Sequence, residues 1–103
     1  MNQYVIYLAG PITGKAHGNE PEFRNHAALV AKEYQASVIV PHDLYQPPQG
    51  QCSCLTWCRA MLKCLDTIAR VDAVYFLPGW HLSTGARREL VAANRAGKRL
   101  IFA

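Results

Sequence analysis

The residues of this chain that could do chemistry gather in two glycine-containing stretches and one run of thiols. Ser83-Thr84-Gly85-Ala86-Arg87-Arg88-Glu89 places a carboxylate on what reads as the first turns of a helix capped by Ser83 or Thr84. Glu89 follows Ala86 by three residues and precedes Ala93 by four, so it lies beside the apolar stripe of that helix, not on its solvated face. A carboxylate there suits nucleophilic or acid–base work; its bland alternative is a first-turns Glu that complements the helix dipole and pairs with Arg87 or Arg88. Gly85 would let a ligand approach amides that favour an anion. The second stretch, Gly10-Pro11-Ile12-Thr13-Gly14, follows an apolar run directly. It has neither the Gly-x-Gly-x-x-Gly fingerprint nor the Gly-Lys-Ser/Thr of a phosphate loop, so it is either a ligand loop or a plain turn.

Other candidates are weighed by position. His42 comes directly after a second apolar run, and Trp80 after Pro78-Gly79, where an indole stacks on a base or caps the core. His81 is a pocket gate or an ordinary surface histidine, while His17 and His26 read as solvated. Cys52, Cys54, Cys58 and Cys64 supply enough thiols for a zinc site, but the spacing lacks paired Cys-x-x-Cys knuckles. They are expected to be reduced, small apolar side chains, with no metal and no organic cofactor. Trp57 reads as packing or a subunit contact.

The elements that would position these residues are legible. Tyr4–Ala9, Ser37–Val40, Asp72–Leu77 and Arg99–Phe102 are short continuous apolar runs, which predict four strands buried on both faces. Between them Phe23, Ala27, Val30 and Tyr34 keep helical spacing, as do Leu55, Cys58, Leu62, Leu65 and Ala69, and then Ala86, Leu90 and Ala93 before a stop at Gly97. The order β-α-β-α-β-α-β calls for a doubly wound, Rossmann- or flavodoxin-like parallel sheet of order 2-1-3-4 with three helices. Ligands of such sheets bind at the carboxyl ends of the strands, which is where both glycine stretches fall. Asp72 opens its strand at the opposite end, so a structural role is expected for it.

The 103 residues suffice for one domain, and a chain half hydrophobic with 17% charge is far from the composition of disorder. There is no apolar run of membrane-spanning length and no basic leader, so a soluble, cytoplasmic protein is expected. The net charge of +4 is densest at Arg87, Arg88, Arg95, Lys98 and Arg99 and suits a phosphorylated small molecule better than a stable nucleic-acid complex.

Tyr7-Leu-Ala-Gly10-Pro11, the Asp-Ala-Val-Tyr run, Leu-Pro-Gly-Trp80 and Ser83-x-Gly85-x-x-x-Glu89 together resemble the nucleoside 2-deoxyribosyltransferase-like superfamily. Within it the chain is most similar to DUF4406, a small domain common in phages and prophages. The resemblance implies that Glu89 attacks the anomeric carbon of a 2-deoxyribose and displaces the base, with Tyr7 positioning the nucleophile. It also implies ligand contacts from His42, Trp80, Ser83, Gly85 and the loop containing Gly10, Pro11, Ile12 and Gly14, and a deoxynucleoside 5′-monophosphate as substrate.

One position departs from the family pattern. Relatives often carry an Asp eight residues before the Asp that opens the third strand; here that place is Cys64, and the nearest acid is Asp66. Two residues on a helix turn a side chain by roughly 200°, so Asp66 does not simply inherit the role. Three readings stay open: N-glycosidic cleavage or deoxyribosyl transfer, nucleotide binding without turnover, and an interaction protein that has lost the ligand. A homodimer or higher homo-oligomer is expected, because no helix follows the fourth strand to cover it and related enzymes complete their sites across subunits.

Overall fold

The computed structural model describes residues 4–12, 15–44 and 54–103, together with the side chains of these residues other than Ala16 and 54–60. Gly14, Cys52, and the side chains of Cys54, Trp57 and Cys58 therefore lie outside the described residues. Four strands, β1 (Val5–Ala9), β2 (Ser37–Ile39), β3 (Ala73–Phe76) and β4 (Arg99–Phe102), form one all-parallel sheet of order β2-β1-β3-β4. Helices α1 (Glu20–Tyr34), α2 (Cys54–Ile68) and α3 (Thr84–Arg95) alternate with them, so the doubly wound α/β fold and its strand order are as the residue pattern predicts. Gly97, at a φ of +71°, ends α3 where a glycine stop is expected.

Alternation along β1 divides the core. Tyr7 and Ala9 face α2 and α3 and pack with Met61, Cys64, Ile68, Val74, Phe76 and Ala93, whereas Ile6 and Leu8 face α1 and pack with Phe23, Val30, Val40 and Leu77. Asp72 ties the lower rim of the sheet: its Oδ2 accepts from Val5 N at 2.8 Å, and its own amide donates to Val5 O at 2.9 Å. This is the structural place expected for it.

Two expectations need correction. Only the central strands are thoroughly buried; β2 is half-buried along its length, and both ends of β4 are exposed. An apolar run reads alike in a central and an outer strand, but an outer strand has one neighbour. The buried stripe of α2 is also not the one counted from Leu55. Leu62 is 68% exposed and Ala69 is exposed, while Met61, Cys64 and Ile68 are buried. Both sets obey helical spacing, and a helix apolar on more than one stripe leaves its register open until packing decides it.

The register has a measurable consequence. Ile68→Ala should lower the unfolding free energy by about 2–5 kcal/mol, and Leu62→Ala should stay within about 0.5 kcal/mol, by urea titration. Equal losses would mean that the helix presents a different face.

Candidate active site

The carboxyl ends of β1, β2 and β3 open onto a cavity of about 630 Å³. Its walls are Gly10, Pro11, Ile12 and Lys15 from the loop after β1, Pro41 after β2, Met61 and Cys64 from α2, and Leu82 to Ala86 at the start of α3. Tyr7 and Glu89 complete it.

Glu89 is the chemical centre. Among the described residues it is the one polar or charged residue buried, at 5% exposure, and the one carboxylate on the cavity wall. It is held by the phenol of Tyr7, whose Oη donates to Glu89 Oε2. Burial disfavours the carboxylate and pushes the Glu89 pKa from 4.5 up to about 8, against the opposing pull of the Tyr7 hydrogen bond. Burial, and then the nearby Glu89, hold Tyr7 well above its usual range. Cys64, within hydrogen-bond reach of Tyr7, is pushed up to about 11, chiefly by burial. At neutral pH the three groups thus form an uncharged, proton-bearing cluster.

The start of α3 forms the opposite wall. Ser83 caps the helix by accepting from Ala86 N at 3.2 Å, and the preceding amides, of Thr84 and Gly85, have no acceptor within the helix. An added Cβ at Gly85 would meet Met61 Sδ at 3.6 Å, an ordinary contact, so packing does not demand glycine there. At Gly10 packing does demand it, since a Cβ would come within 2.9 Å of Leu77 Cβ and 3.3 Å of Phe23 Cζ.

Of the residues singled out in the sequence, Tyr7, Gly10, Pro11, Ile12, Ser83, Gly85 and Glu89 share the cavity. His42 and Trp80 are not on its wall. His42 turns toward the backbone at Gly18, and Trp80 packs in an aromatic group with Phe76 and Phe102, at ring-centroid distances of 5.4 and 5.5 Å. Asp66 faces solvent and pairs with Arg70 at 3.3 Å, so α2 presents Cys64, not an acid, to the cavity. The basic group near the C-terminus does not supply the cavity either: Arg87 and Arg88 flank a separate shallow groove with Leu65 and Val91, and the cation among the described lining residues is Lys15. His26 is not simply solvated, since its Nδ1 lies 3.2 Å from Tyr75 Oη.

A buried glutamate held by a tyrosine from β1, opposite a capped helix start, is the arrangement to set beside known proteins. The family model described as a domain of unknown function, DUF4406, matches residues 4–102. The chain belongs to the DUF4406 family. No curated protein sequence matches it. Among solved structures this DUF4406 chain is similar to a 2-desoxiribosyltransferase from Leishmania mexicana, with 23% identity and a TM-score of 0.68 over 96% of this chain and 63% of that one. It thus spans less than two thirds of that relative. It is also similar to a 2-deoxyribosyltransferase from Bacillus psychrosaccharolyticus, at 21% identity and a TM-score of 0.69 over 95% of this chain and 70% of that one. The CMP N-glycosidase of Clostridium botulinum matches at 21% identity and a TM-score of 0.55, over 95% and 69%. At these identities the shared property is the fold.

Met61 and Lys15 are wall residues that the sequence reading does not single out, and Cys64 is one that it marks only as a departure from the family pattern. Met61 and Cys64 become visible once the α2 stripe is set by Ile68, and Lys15 carries no signal beyond following the first loop.

The raised Glu89 pKa fixes a pH dependence of stability in this DUF4406 protein. Between about pH 4.5 and about pH 8 the folded chain keeps a proton that the unfolded chain has released, so stability falls as pH rises through that window. Glu89→Gln has no proton to lose. The variant should match the native protein near pH 4.5 and exceed it at pH 8 by on the order of a few kcal/mol, in urea titrations at both values. Parallel pH profiles for the two proteins would contradict the assignment.

Proposed function

We propose that this protein cleaves the N-glycosidic bond of a deoxynucleoside 5′-monophosphate, or transfers its deoxyribosyl group, with Glu89 as nucleophile. The observation that carries this reading is the buried Tyr7–Glu89 pair in the cavity at the strand ends. The ionised carboxylate attacks the anomeric carbon, the carbon–nitrogen bond breaks with its electron pair going to the base, and the base gains a proton. Water, or a second base, then attacks the glycosyl ester and frees Glu89. Tyr7 has two tasks in this scheme: it fixes the carboxylate in place, and its hydrogen bond lowers the cost of ionising a group that burial keeps protonated. The 5′-phosphate would meet the amides of Thr84 and Gly85 and the cation of Lys15, all on the cavity wall. Support also comes from structures with the same fold, whose names describe 2-deoxyribosyltransferases and a CMP N-glycosidase.

A second reading, nucleotide binding without turnover, is favoured by Cys64. This thiol stands on the wall where the family resemblance implies an Asp, and it keeps its proton to about pH 11, so Glu89 has no carboxylic partner there.

Incubation with each deoxynucleoside 5′-monophosphate, followed by chromatography of the free base, separates the two. Release should rise with pH toward an inflection near pH 8 and fall by at least roughly a thousandfold in Glu89→Gln. In Tyr7→Phe the inflection should move up by about one pH unit, because the bond favouring the carboxylate is gone. Binding without release from the native protein would leave the second reading standing.

We also read the protein as a homodimer. Leu82 lies at the cavity mouth yet is 79% exposed, and Phe102 on β4 is 51% exposed, so a second copy seated there would bury apolar surface beside the site. Sedimentation equilibrium should give twice the chain mass of 11.5 kDa, and Leu82→Asp should shift it toward the monomer.

A further inference from the structure

We infer that His42 is a positioning residue, whose ring holds the turn carrying one wall of the cavity and so governs ligand affinity but not the chemical step. The inference rests on the proposed nucleotide site for its kinetic consequence, though not for its structural one.

The turn is an unusual piece of backbone. His17, Gly18 and Asn19 are consecutive left-handed residues, at φ of 54°, 61° and 62°. Two of the three carry a Cβ that this conformation disfavours, so the run persists only where its surroundings hold it. Two side chains do so. Asn19 Nδ2 donates to Pro11 O at 3.0 Å, and His42 Nε2 donates to Gly18 O at 2.7 Å. Because a carbonyl only accepts, that bond requires a proton on Nε2.

The turn leads straight to the cavity. Gly18 N donates to Lys15 O at 3.1 Å, and Lys15 N donates to Ile12 O at 3.2 Å. Ile12 and Lys15 are both wall residues, and Lys15 is the cation among those described there. His42 is itself fixed: its ring meets the edge of Phe23 at 4.8 Å and 67°. Its 3-10 turn, Pro41–Asp43, is bound to α1 by Arg24, which donates to Asp43 at 2.9 and 2.7 Å. Pro41 also lines the cavity, so the His42–Gly18 bond joins the wall after β2 to the wall after β1. His42 reaches the site through the backbone, which explains why a histidine placed at the end of β2 is absent from the cavity wall.

The test uses His42→Ala, His42→Asn and His42→Gln in the full chain. The Gln amide is long enough to donate to Gly18 O, and the Asn amide is too short. Limited trypsin digestion without ligand, read by mass spectrometry, follows cleavage between Lys15 and Ala16. His42→Ala and His42→Asn should speed this cut roughly tenfold, and His42→Gln should restore most of the protection. In base release, KM should rise roughly tenfold in the first two variants with kcat within about twofold, and return in His42→Gln. An unchanged cut, a fall in kcat at constant KM, or a Gln variant as open as the Asn one would overturn the inference. Absence of base release from the native protein would sink the proposed reaction alone, and the Lys15 cut would still decide the role of His42. If His42→Ala does not fold, the Asn and Gln pair decides it.

Discussion

Removal of one carboxylate from water is the constraint on which the rest of this structure depends. An isolated buried carboxylate is among the costliest groups a small domain can hold, and Glu89 is accommodated by keeping its proton and by accepting the phenol of Tyr7. Both partners sit on central elements. Tyr7 lies within β1, which is hydrogen-bonded to a neighbour on each side, and Glu89 lies on the inner face of α3 beside Ala86 and Ala93. The pair is therefore as rigid as the core. The segments around it, at 10–12, 15–19 and 82–86, are loops and helix starts.

This division shows how the sheet can hold a buried carboxyl. A charged group stored in a cavity would need a permanent counterion, and among the described residues none is placed against Glu89: its polar partners there are a phenol and a thiol, both neutral. The resting state is accordingly uncharged. On the proposed function, an anionic ligand entering against Lys15 and the α3 amides would not meet a second negative charge from Glu89. The arrangement favours stability at neutral pH, since the ionised form is the one that the core disfavours.

The fold was legible in the sequence because its signals are redundant. Each strand announces itself by a continuous apolar run, each helix by a repeated spacing, and alternation of the two leaves few topologies. Glu89 was legible for a related reason: its distance from Ala86 and Ala93 puts it on the buried side whatever the details of α3. The register of α2 was not, because Leu62 and Met61 both satisfy the helical period and only the sheet beneath decides between them. Nor were the places of His42 and Trp80. For His42 the position at a strand end was read correctly, but which way a ring turns there depends on Gly18 O, whose left-handed turn has no sequence mark beyond one glycine and one asparagine. For Trp80, Phe76 and Phe102 are neighbours across β3 and β4, a pairing that only the strand order brings together.

Cys64 joins the fold to the chemistry. The helix that carries it must bury Met61, Cys64 and Ile68 to cover Tyr7 and Val74, so a side chain at this place faces the cavity whether or not it reacts. A carboxylate there would stand against Glu89, and two like charges in one buried site drive one of the pair to hold a proton, which is how an acid and a nucleophile are usually set apart. A thiol does none of this. It fills the volume, stays protonated and leaves burial alone to raise Glu89, so that on the proposed reaction this carboxylate has no second carboxyl beside it among the described residues. Under the proposed reaction the departing base would draw its proton from the solvent or from a hydroxyl on the wall, which favours leaving groups that already carry negative charge well, and would make the identity of the base, more than that of the sugar, the feature on which turnover depends.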